Sequence, residues 1–255
     1  MILAIDVGNT HIVLGLIENG EILHELRLQS DRNATDSEYV IRLSQLFEFL
    51  KISPDAFKGA IMSSVVPQIT DKLVDAVKRI CGFEPIVVAP GIKTGMNIKI
   101  DDPGSLAGDL LVGGVAALAY YGAPAIIVDM GTATTITIVD KNKSFIGGAI
   151  IPGVYLSLNA LTAGTSLLPS ISVSATSKVI GSNTVDCMRS GAVYANAAMI
   201  DGMIDRMEAE LGYKCNIIAT GGLSSSICPF CTHPITLDND LLLKGLWWLY
   251  NKNKN

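Results

Sequence analysis

Short apolar runs that end in polar, glycine-containing turns open the chain. Ile2 to Ile5 is apolar, Asp6-Val-Gly-Asn-Thr10 follows, and His11 to Ile17 resumes the apolar pattern. Asn19-Gly20, a strong hairpin signal, then leads into the strand-like run from Glu21 to Leu28. The pattern predicts a meander of three strands with a tight turn after the first strand.

The same pattern returns in the second half of the chain. The apolar run from Ala125 to Val128 is followed by Asp129-Met-Gly-Thr-Ala-Thr-Thr135, and two further strand-like runs follow up to Ile151. The aspartates of the two turns, 123 residues apart, stand at the same place in both patterns. A repeat of this length predicts two similarly folded lobes rather than a solenoid, whose periods are much shorter. We place the lobes at residues 1–120 and 121–255.

Helical and strand patterns alternate between and after the meanders. Helices are predicted from the capping box Thr35-x-x-Glu38 to about Leu50, over Pro67 to Cys81, from about Thr184 to Leu211 and from Asp238 to Tyr250. Strands are predicted over Gly59 to Val66, Pro85 to Val88 and Asn216 to Ala219. A meander followed by such alternation predicts an α/β fold with a mixed sheet in each lobe, and two lobes imply a cleft.

Composition and charge narrow the class of partner. With 255 residues, of which 49% are hydrophobic and 17% charged, the chain can form two lobes that each bury a core. A net charge of −5 without any block of Lys or Arg argues against nucleic acid and anionic membranes as partners. The uncharged stretch between Asp109 and Asp129 is interrupted by Gly122 and Pro124, so it predicts a buried helix and a buried strand rather than a membrane span. A small polar molecule is the expected partner.

The cysteines predict a reducing environment. The chain has five, an odd number without the spacing of a disulfide framework, and Asp6 interrupts any signal-like apolar segment, so we expect a cytoplasmic protein. Cys228-Pro-Phe-Cys231, His233 and Cys215 offer zinc ligands on paper. Structural zinc sites normally show two ligand pairs, and only one pair is present here, so loop cysteines are the favoured interpretation.

The two aspartate-containing turns are suited to phosphate. Gly8 and Gly131 allow backbone to approach a ligand closely and leave N–H groups of the turns free to point at phosphate oxygens. Additional side-chain donors are offered by Asn9, Thr10, Thr132, Thr134 and Thr135. Asp6 and Asp129 could hold a cation or its water shell, which phosphoryl transfer requires.

Duplication decides between a structural and a functional interpretation of these turns. A single Asp-x-Gly turn is more often structural, but two at the same place in a repeat are hard to explain by turn geometry alone. A further glycine pair, Gly221-Gly222, follows a predicted strand where adenine or ribose could lie against bare backbone. The sequence therefore predicts a nucleotide site shared by two lobes.

Asp109 is the candidate carboxylate for the acceptor hydroxyl. It interrupts the otherwise apolar start of a helix. A negative charge in the first turn of a helix is itself stabilising by roughly 0.3–1 kcal/mol, so the residues alone leave a structural and a catalytic role equally open.

In combination, these motifs resemble the type III pantothenate kinase family, also known as the Bvg accessory factor family, of the actin/hexokinase-like superfamily. The resemblance covers nearly the whole chain and is carried by Asp6 to Thr10, Ser63-Ser-Val-Val-Pro67, the turn with Asp109, Asp129 to Thr135, Gly147-Gly-Ala-Ile-Ile-Pro-Gly153, Gly181-Ser-Asn-Thr184, Ser190-Gly191 and Thr220-Gly-Gly222. It implies a two-lobed actin-like ATPase fold, which is ribonuclease H-like, with a duplicated mixed sheet and the active site in the cleft between the lobes.

The resemblance also implies an activity and its residues. The activity would be ATP-dependent phosphorylation of pantothenate to 4′-phosphopantothenate, the first step toward coenzyme A, by a homodimer that uses Mg²⁺ and K⁺ or NH₄⁺. ATP would be bound by Asp6, Val7, Gly8, Asn9, Thr10, His11, Ile12 and Val13 in the first loop and by Thr132 in the second. Asp129 would bind the monovalent cation, and Asp109 would be the proton acceptor. Pantothenate would be contacted by Ala107, Gly108, Asp109, Leu110 and Thr184.

Departures from the family pattern cluster on the acceptor side. Leu110 stands where the family usually has the Arg of Gly-x-Asp-Arg, Gly113 where an Asn is frequent, and Ile100 where a Tyr is frequent. Leu110 cannot donate the charge-assisted hydrogen bond that an Arg would give. Two alternatives therefore stay open: a kinase of the same fold for another small hydroxyl acceptor, and a non-catalytic nucleotide-binding accessory protein, against which Asp109 argues.

Overall fold

The computed structural model describes residues 1–174 and 178–254, which divide into two compact units. The first unit contains Met1–Gly95, Asp101–Ala119 and the segment from Leu241 onward. The second unit contains Met96–Ile100 and Tyr120–Asp240.

The first unit is built on a five-stranded mixed sheet. Its strands are β1 (Ile2–Val7), β2 (His11–Glu18), β3 (Glu21–Gln29), β4 (Ala60–Ser64) and β5 (Ile86–Val87), in the order β3-β2-β1-β4-β5. The strands β1, β2 and β3 form the predicted antiparallel meander, and β4 runs parallel to both β1 and β5. In this register Asp6 is the partner of Val13 on β2 and of Ser63 on β4.

Three helices of the first unit precede residue 121: α1 (Asp36–Phe49), α2 (Pro67–Cys81) and α3 (Gly108–Tyr120). The predicted capping box of α1 is confirmed: Thr35 Oγ1 accepts a hydrogen bond from Glu38 N at 3.3 Å, and Thr35 N donates to Glu38 Oε2 at 2.7 Å. The predicted bounds of α2 are also confirmed, because Pro67 starts it and Gly82, with a φ of 77°, ends it. Apolar side chains of α1 and α2 pack into the core of the unit with those of β1 and β2.

The second unit repeats this sheet. Its strands are β6 (Asn97–Ile98), β7 (Ala125–Met130), β8 (Ala133–Val139), β9 (Ser144–Pro152), β10 (Asn216–Thr220) and β11 (Thr236–Leu237), in the order β11-β10-β7-β8-β9-β6. The strands β7, β8 and β9 form an antiparallel meander, and β10 runs parallel to β7 and β11, as β4 does to β1 and β5. The predicted duplication of a mixed sheet is therefore confirmed, with β6 added at the β9 edge.

The helices described in the second unit are α4 (Val154–Ala163), α5 (Thr184–Ser190), α6 (Asn196–Leu211), the short α7 (Ser224–Ile227) and a 3₁₀ helix (Cys228–Phe230). The predicted helix from Thr184 to Leu211 is helical throughout, but residues Gly191–Ala195 form a π-helical segment between α5 and α6. Asn183 caps α5, because its side chain accepts a hydrogen bond from Asp186 N at 2.9 Å.

The last helix, α8 (Leu241–Asn253), begins three residues later than predicted. Asp238 is buried in the preceding turn, where its carboxylate accepts hydrogen bonds from the Tyr121 hydroxyl at 2.7 Å and from Asp240 N at 3.1 Å. A residue whose side chain is used in this way favours a turn over a helix.

Two segments distinguish the compact units from the predicted lobes of residues 1–120 and 121–255. Met96–Ile100 groups with the second unit because β6 pairs with β9. The helix α8 groups with the first unit because it packs against β1, β4 and α3, so closely that a Cβ atom on Gly245 would lie 2.5 Å from Val112 O. Within residues 1–174 and 178–254, no helix is both long and apolar enough to span a membrane.

Candidate functional site

The first aspartate-containing turn, Gly8-Asn9-Thr10, joins β1 to β2 and is braced by the residue after β3. Ser30 Oγ donates a hydrogen bond to Gly8 O at 2.6 Å, and Ser30 N donates to Thr10 O at 3.0 Å. Asn9, Thr10 and His11 are exposed. The hydrogen bonds from Ser30 thus fix the backbone of the turn, while its polar side chains stay accessible to a ligand.

The other members of the predicted first ATP loop lie deeper. Asp6 and Val13 are half-buried, whereas Val7 and Ile12 are fully buried partners in the antiparallel pair β1–β2. The side chains of Val7 and Ile12 belong to the core of the first unit, so their predicted contribution to ATP binding would have to come from backbone atoms.

The N–H groups of the two turn glycines themselves form hydrogen bonds within the protein. In the structure Gly8 N donates to His11 O and Gly131 N donates to Ala133 O, both at 3.0 Å. These hydrogen bonds close the turns, because each hairpin must satisfy its own backbone groups, so the two N–H groups are used inside the protein.

Asp109 lies on α3, whose first residue packs directly on the end of β4. A Cβ atom on Gly108 would lie 2.9 Å from Ser63 Oγ, and Ser63 is the β4 partner of Asp6. The Ser63 hydroxyl is fully buried and makes no hydrogen bond to any described part of the chain. The first unit therefore places the beginning of the Asp109 helix beside the strand that neighbours Asp6.

The environment of Asp109 suits a proton acceptor. Its Oδ1 accepts a hydrogen bond from Leu110 N at 2.7 Å, which favours the ionised form. Burial outweighs this effect and raises the pKa of the Asp109 carboxyl above its ordinary value. A general base works best when its pKa approaches the working pH, so the shift is in the useful direction.

The remaining predicted acceptor residues are divided between the units. Ala107, Gly108 and Leu110 are half-buried and flank Asp109 in the first unit. Thr184 is the exposed first residue of α5 in the second unit.

The second turn, Gly131-Thr132, joins β7 to β8 and carries the counterpart of Asp6. Asp129 is the half-buried penultimate residue of β7, as Asp6 is of β1, and the two strands have the same pattern of buried and half-buried residues. Its partners are Thr135 on β8 and Thr220 on β10. The equivalence of the two aspartates extends from the sequence to the sheet register.

The glycine pair after β10 lies against Asp129. Gly221 has a φ of 92°, and a Cβ atom there would lie 2.6 Å from Asp129 Oδ1. Nothing lies within 4 Å of the corresponding position on Gly222, which is exposed. The backbone at Gly221 therefore packs against the Asp129 carboxylate, whereas the space next to Gly222 is open. Open space beside glycine backbone is expected of a surface that receives a flat ligand.

The threonines of the second turn separate into two groups. Thr132 is exposed, in keeping with the predicted contact to ATP. Thr134, which we expected to offer a donor, is fully buried and its hydroxyl makes no hydrogen bond within the described chain, so it cannot reach a ligand. Thr132 is exposed because it lies in the turn before β8, whereas on β8 itself Thr134 points to the buried face and the half-buried Thr135 to the other.

Sequence reasoning missed the segment that follows β3. Arg32 Nη2 donates a hydrogen bond to Asn9 Oδ1 at 2.9 Å, and Lys72 Nζ donates a hydrogen bond to Ala34 O at 2.6 Å. The polar run Ser30-Asp-Arg-Asn33 directly after a strand was the available signal. It places a guanidinium beside the first turn.

The residues considered for zinc do not form one cluster. Among residues 1–174 and 178–254, the only group of three or more potential ligands is Asp205, Glu208 and His233, whose ligand atoms lie within 4.8 Å of one another. His233 Nε2 lies 3.0 Å from Asp205 Oδ1, and Glu208 Oε2 is paired with Lys214 Nζ at 2.6 Å. No cysteine is part of this group.

Comparison with known proteins adds to this geometry. A sequence profile of the type III pantothenate kinase family matches residues 2–206. A Campylobacter jejuni protein assigned to the Baf family of transcriptional activators is 17% identical, with a TM-score of 0.60 and 98% of each chain covered.

Two kinases have similar folds. A Sinorhizobium meliloti protein assigned as a 2-dehydro-3-deoxygalactonokinase is 12% identical, with a TM-score of 0.60 and coverage of 100% of this chain and 97% of the other. The inorganic polyphosphate/ATP-glucomannokinase of Arthrobacter sp. strain KM is 14% identical, with a TM-score of 0.52 and 99% of each chain covered. At these identities the likeness concerns the fold, which is the predicted actin-like fold with a duplicated mixed sheet.

Proposed function

Because the chain belongs to the type III pantothenate kinase family, we propose that it transfers the γ-phosphoryl group of ATP to a hydroxyl of pantothenate and forms 4′-phosphopantothenate. Family membership supports a phosphotransferase that uses ATP and a divalent metal. That the acceptor is pantothenate is the more specific part of the proposal. The observation that carries it is the family match over residues 2–206, which contains both duplicated aspartates, Asp109 and Thr184.

The polar groups around the two turns fit a nucleotide. Exposed Asn9, Thr10 and His11 in the first unit, and exposed Thr132 with the open face of Gly222 in the second, provide donors and bare backbone. When bound, ATP supplies the phosphoryl group and Mg²⁺ neutralises charge on its phosphate oxygens. Asp6 would hold Mg²⁺ or its water shell, and Asp129 would hold K⁺ or NH₄⁺.

Asp109 would accept the proton of the attacking hydroxyl. It is half-buried at the start of α3, and the raised pKa makes it a stronger base than an exposed aspartate. The hydrogen bond from Leu110 N holds the carboxylate at the start of α3, where it would orient the acceptor hydroxyl. Thr184 would contact pantothenate with its exposed hydroxyl.

A second acceptor is favoured by one observation. Leu110, beside Asp109, replaces the arginine usual in the family and offers no charge to an acceptor carboxylate. A less polar hydroxyl compound would suit this surface, and a kinase for such a compound is the alternative function.

The family resemblance also suggests a homodimer, which we propose for this chain. Its exposed apolar side chains include Tyr155, Leu156 and Leu161 on α4. Their relative solvent accessibilities are 52%, 51% and 44%, respectively. Apolar groups exposed together on one helix are typical of interfaces. Light scattering on the purified protein would measure the mass, and a monomer at micromolar concentration would contradict the proposal.

A coupled assay of ADP release tests the function. We expect ADP release that depends on pantothenate, with a product that carries one additional phosphoryl group by mass spectrometry. The Asp109→Asn variant is the matched control for contaminating kinases. ADP release from other hydroxyl compounds but not from pantothenate would favour the alternative acceptor, and loss of all acceptor-dependent release would leave no support for a kinase.

A further inference from the structure

A pair of thiols lies directly after α7, outside the site described above, in a loop whose first residues form the 3₁₀ helix Cys228–Phe230. Cys228 and Cys231 are both free, and each shifts the pKa of the other's thiol. The backbone between them turns tightly, because Cys231 N donates to Cys228 O at 3.0 Å. In such a 3₁₀ turn the side chains of residues i and i+3 lie one above the other, so the two sulfur atoms need only a local movement to reach the S–S bond length of about 2.05 Å.

The loop that carries the pair packs against the helical segment from α5 to α6. Cys228 is buried in the same apolar cluster as Met188 and Ala192, and the Cys231 thiol points at Ala197 O, 3.8 Å away. Phe230, between the two cysteines, contacts Tyr194 edge to face with ring centroids 5.1 Å apart. The cysteine loop therefore touches the π-helical segment and the start of α6.

We propose that Cys228 and Cys231 form a redox-active dithiol that closes to a disulfide, and that closure alters the helical segment beginning at Thr184. The π-helical residues Gly191–Ala195 are the deformable part of this segment, since π-helical turns are irregular and frequent at functional sites. The link to substrate binding rests on the proposed function, in which Thr184 contacts the acceptor.

The co-reactant is a low-molecular-weight disulfide of the glutathione type. A thiolate of the pair attacks one sulfur of that disulfide, forms a mixed disulfide and releases one small thiolate. The second protein thiolate then attacks the protein sulfur of the mixed disulfide and releases the other small thiolate. Two electrons pass from the protein to the small disulfide, and the two protons lost by Cys228 and Cys231 end on the two small thiols.

The surroundings indicate which sulfur reacts first and how fast. The neighbouring Cys231 thiol lowers the pKa of the Cys228 thiol, and Cys228 in turn raises the pKa of the Cys231 thiol. The first thiolate therefore forms at Cys228, which is only 6% exposed. Because that sulfur is shielded, exchange needs local opening of the loop, and we expect it to be slower than reaction at exposed Cys187.

The test uses the full-length protein equilibrated with mixtures of glutathione and glutathione disulfide. Free thiols are then blocked and peptides are mapped by mass spectrometry. A variant with Cys81, Cys187 and Cys215 changed to Ser leaves only the pair, and peptide mapping of the wild type gives the same information if that variant does not fold. The matched control is Cys231→Ser, which keeps the buried Cys228 but cannot close.

We expect one intramolecular disulfide, between Cys228 and Cys231, that forms in oxidising mixtures and reverts in reduced glutathione. Cys231→Ser should form none. Absence of this disulfide even in fully oxidising mixtures, or pairing of either cysteine with another one instead, would overturn the proposal.

Hydrogen exchange tests the effect on the helical segment without any assumption about substrate. Oxidation should change amide protection over Thr184–Ala197 several-fold in the wild type and leave Cys231→Ser unchanged. Identical exchange in both redox states would refute the coupling. If the protein phosphorylates pantothenate, oxidation should change the acceptor KM and spare the ATP KM, whereas a failed kinase assay would bear only on the proposed function.

Discussion

The contact between Gly221 and Asp129 makes a quantitative prediction for Gly221→Ala. A Cβ atom would approach Asp129 Oδ1 and the backbone nitrogen of Met130 to 2.6 Å, and the φ of 92° is unfavourable for any side chain. The left-handed conformation costs an L-residue roughly 1–2 kcal/mol. Overpacking costs about 1–3 kcal/mol more, and the lower entropy of the unfolded chain offsets about 0.4–1 kcal/mol. We expect the free energy of unfolding to fall by about 1–5 kcal/mol.

Two other glycines of the second unit separate these contributions. Gly212 has a φ of 74° with nothing within 4 Å of a Cβ position, so Gly212→Ala measures backbone strain alone. Gly222 is not in the left-handed region and also has open space, so Gly222→Ala should leave stability within about 1 kcal/mol of the wild type. The difference between Gly221→Ala and Gly212→Ala should therefore be the cost of crowding Asp129.

The measurement must report on the second unit itself, because a chain of two units need not unfold in one step. Native-state hydrogen exchange of amides in β7 and β10 gives local free energies of opening, and urea unfolding gives the global value. If Gly221→Ala opens no more easily than Gly212→Ala, the close approach of Gly221 to Asp129 is incorrect. ATP affinity measured on the same variants would show whether crowding Asp129 also disturbs the nucleotide.

Three further predictions concern catalysis. Asp109→Asn should lower kcat by about 10²–10⁴-fold and leave the ATP KM unchanged, and an unchanged kcat would remove Asp109 from the mechanism. In the wild type, kcat should fall as the pH drops through the raised pKa of Asp109, because only the ionised carboxylate accepts a proton. Leu110→Arg should lower the pantothenate KM by about ten- to a hundred-fold, as a charge-assisted hydrogen bond of about 1.5–3 kcal/mol implies; no improvement would indicate a pocket built for another acceptor. Activity should require K⁺ or NH₄⁺ as well as Mg²⁺, and full turnover in buffer without either monovalent cation would contradict the role of Asp129.

Local sequence patterns were sufficient for the two meanders, for α1 and α2, and for the repeat. The alternation of apolar and polar residues, the capping box at Thr35 and the Asp-x-Gly turns involve residues only a few positions apart, so their physical causes lie within one segment of chain. The duplicated sheet followed from two such patterns at matching places. The residues that carry the family resemblance are likewise short motifs.

Long-range contacts were decided by the tertiary structure. The packing of Gly108 on Ser63 and of Gly221 on Asp129 joins residues far apart in sequence, and strand register and helix placement determine such distances. The same applies to Thr134, which lies in the core because β8 presents that face inward. A hydrophobic pattern indicates that a strand has a buried face. Which residues pack against that face depends on strands and helices from other parts of the sequence, and the local pattern does not identify them.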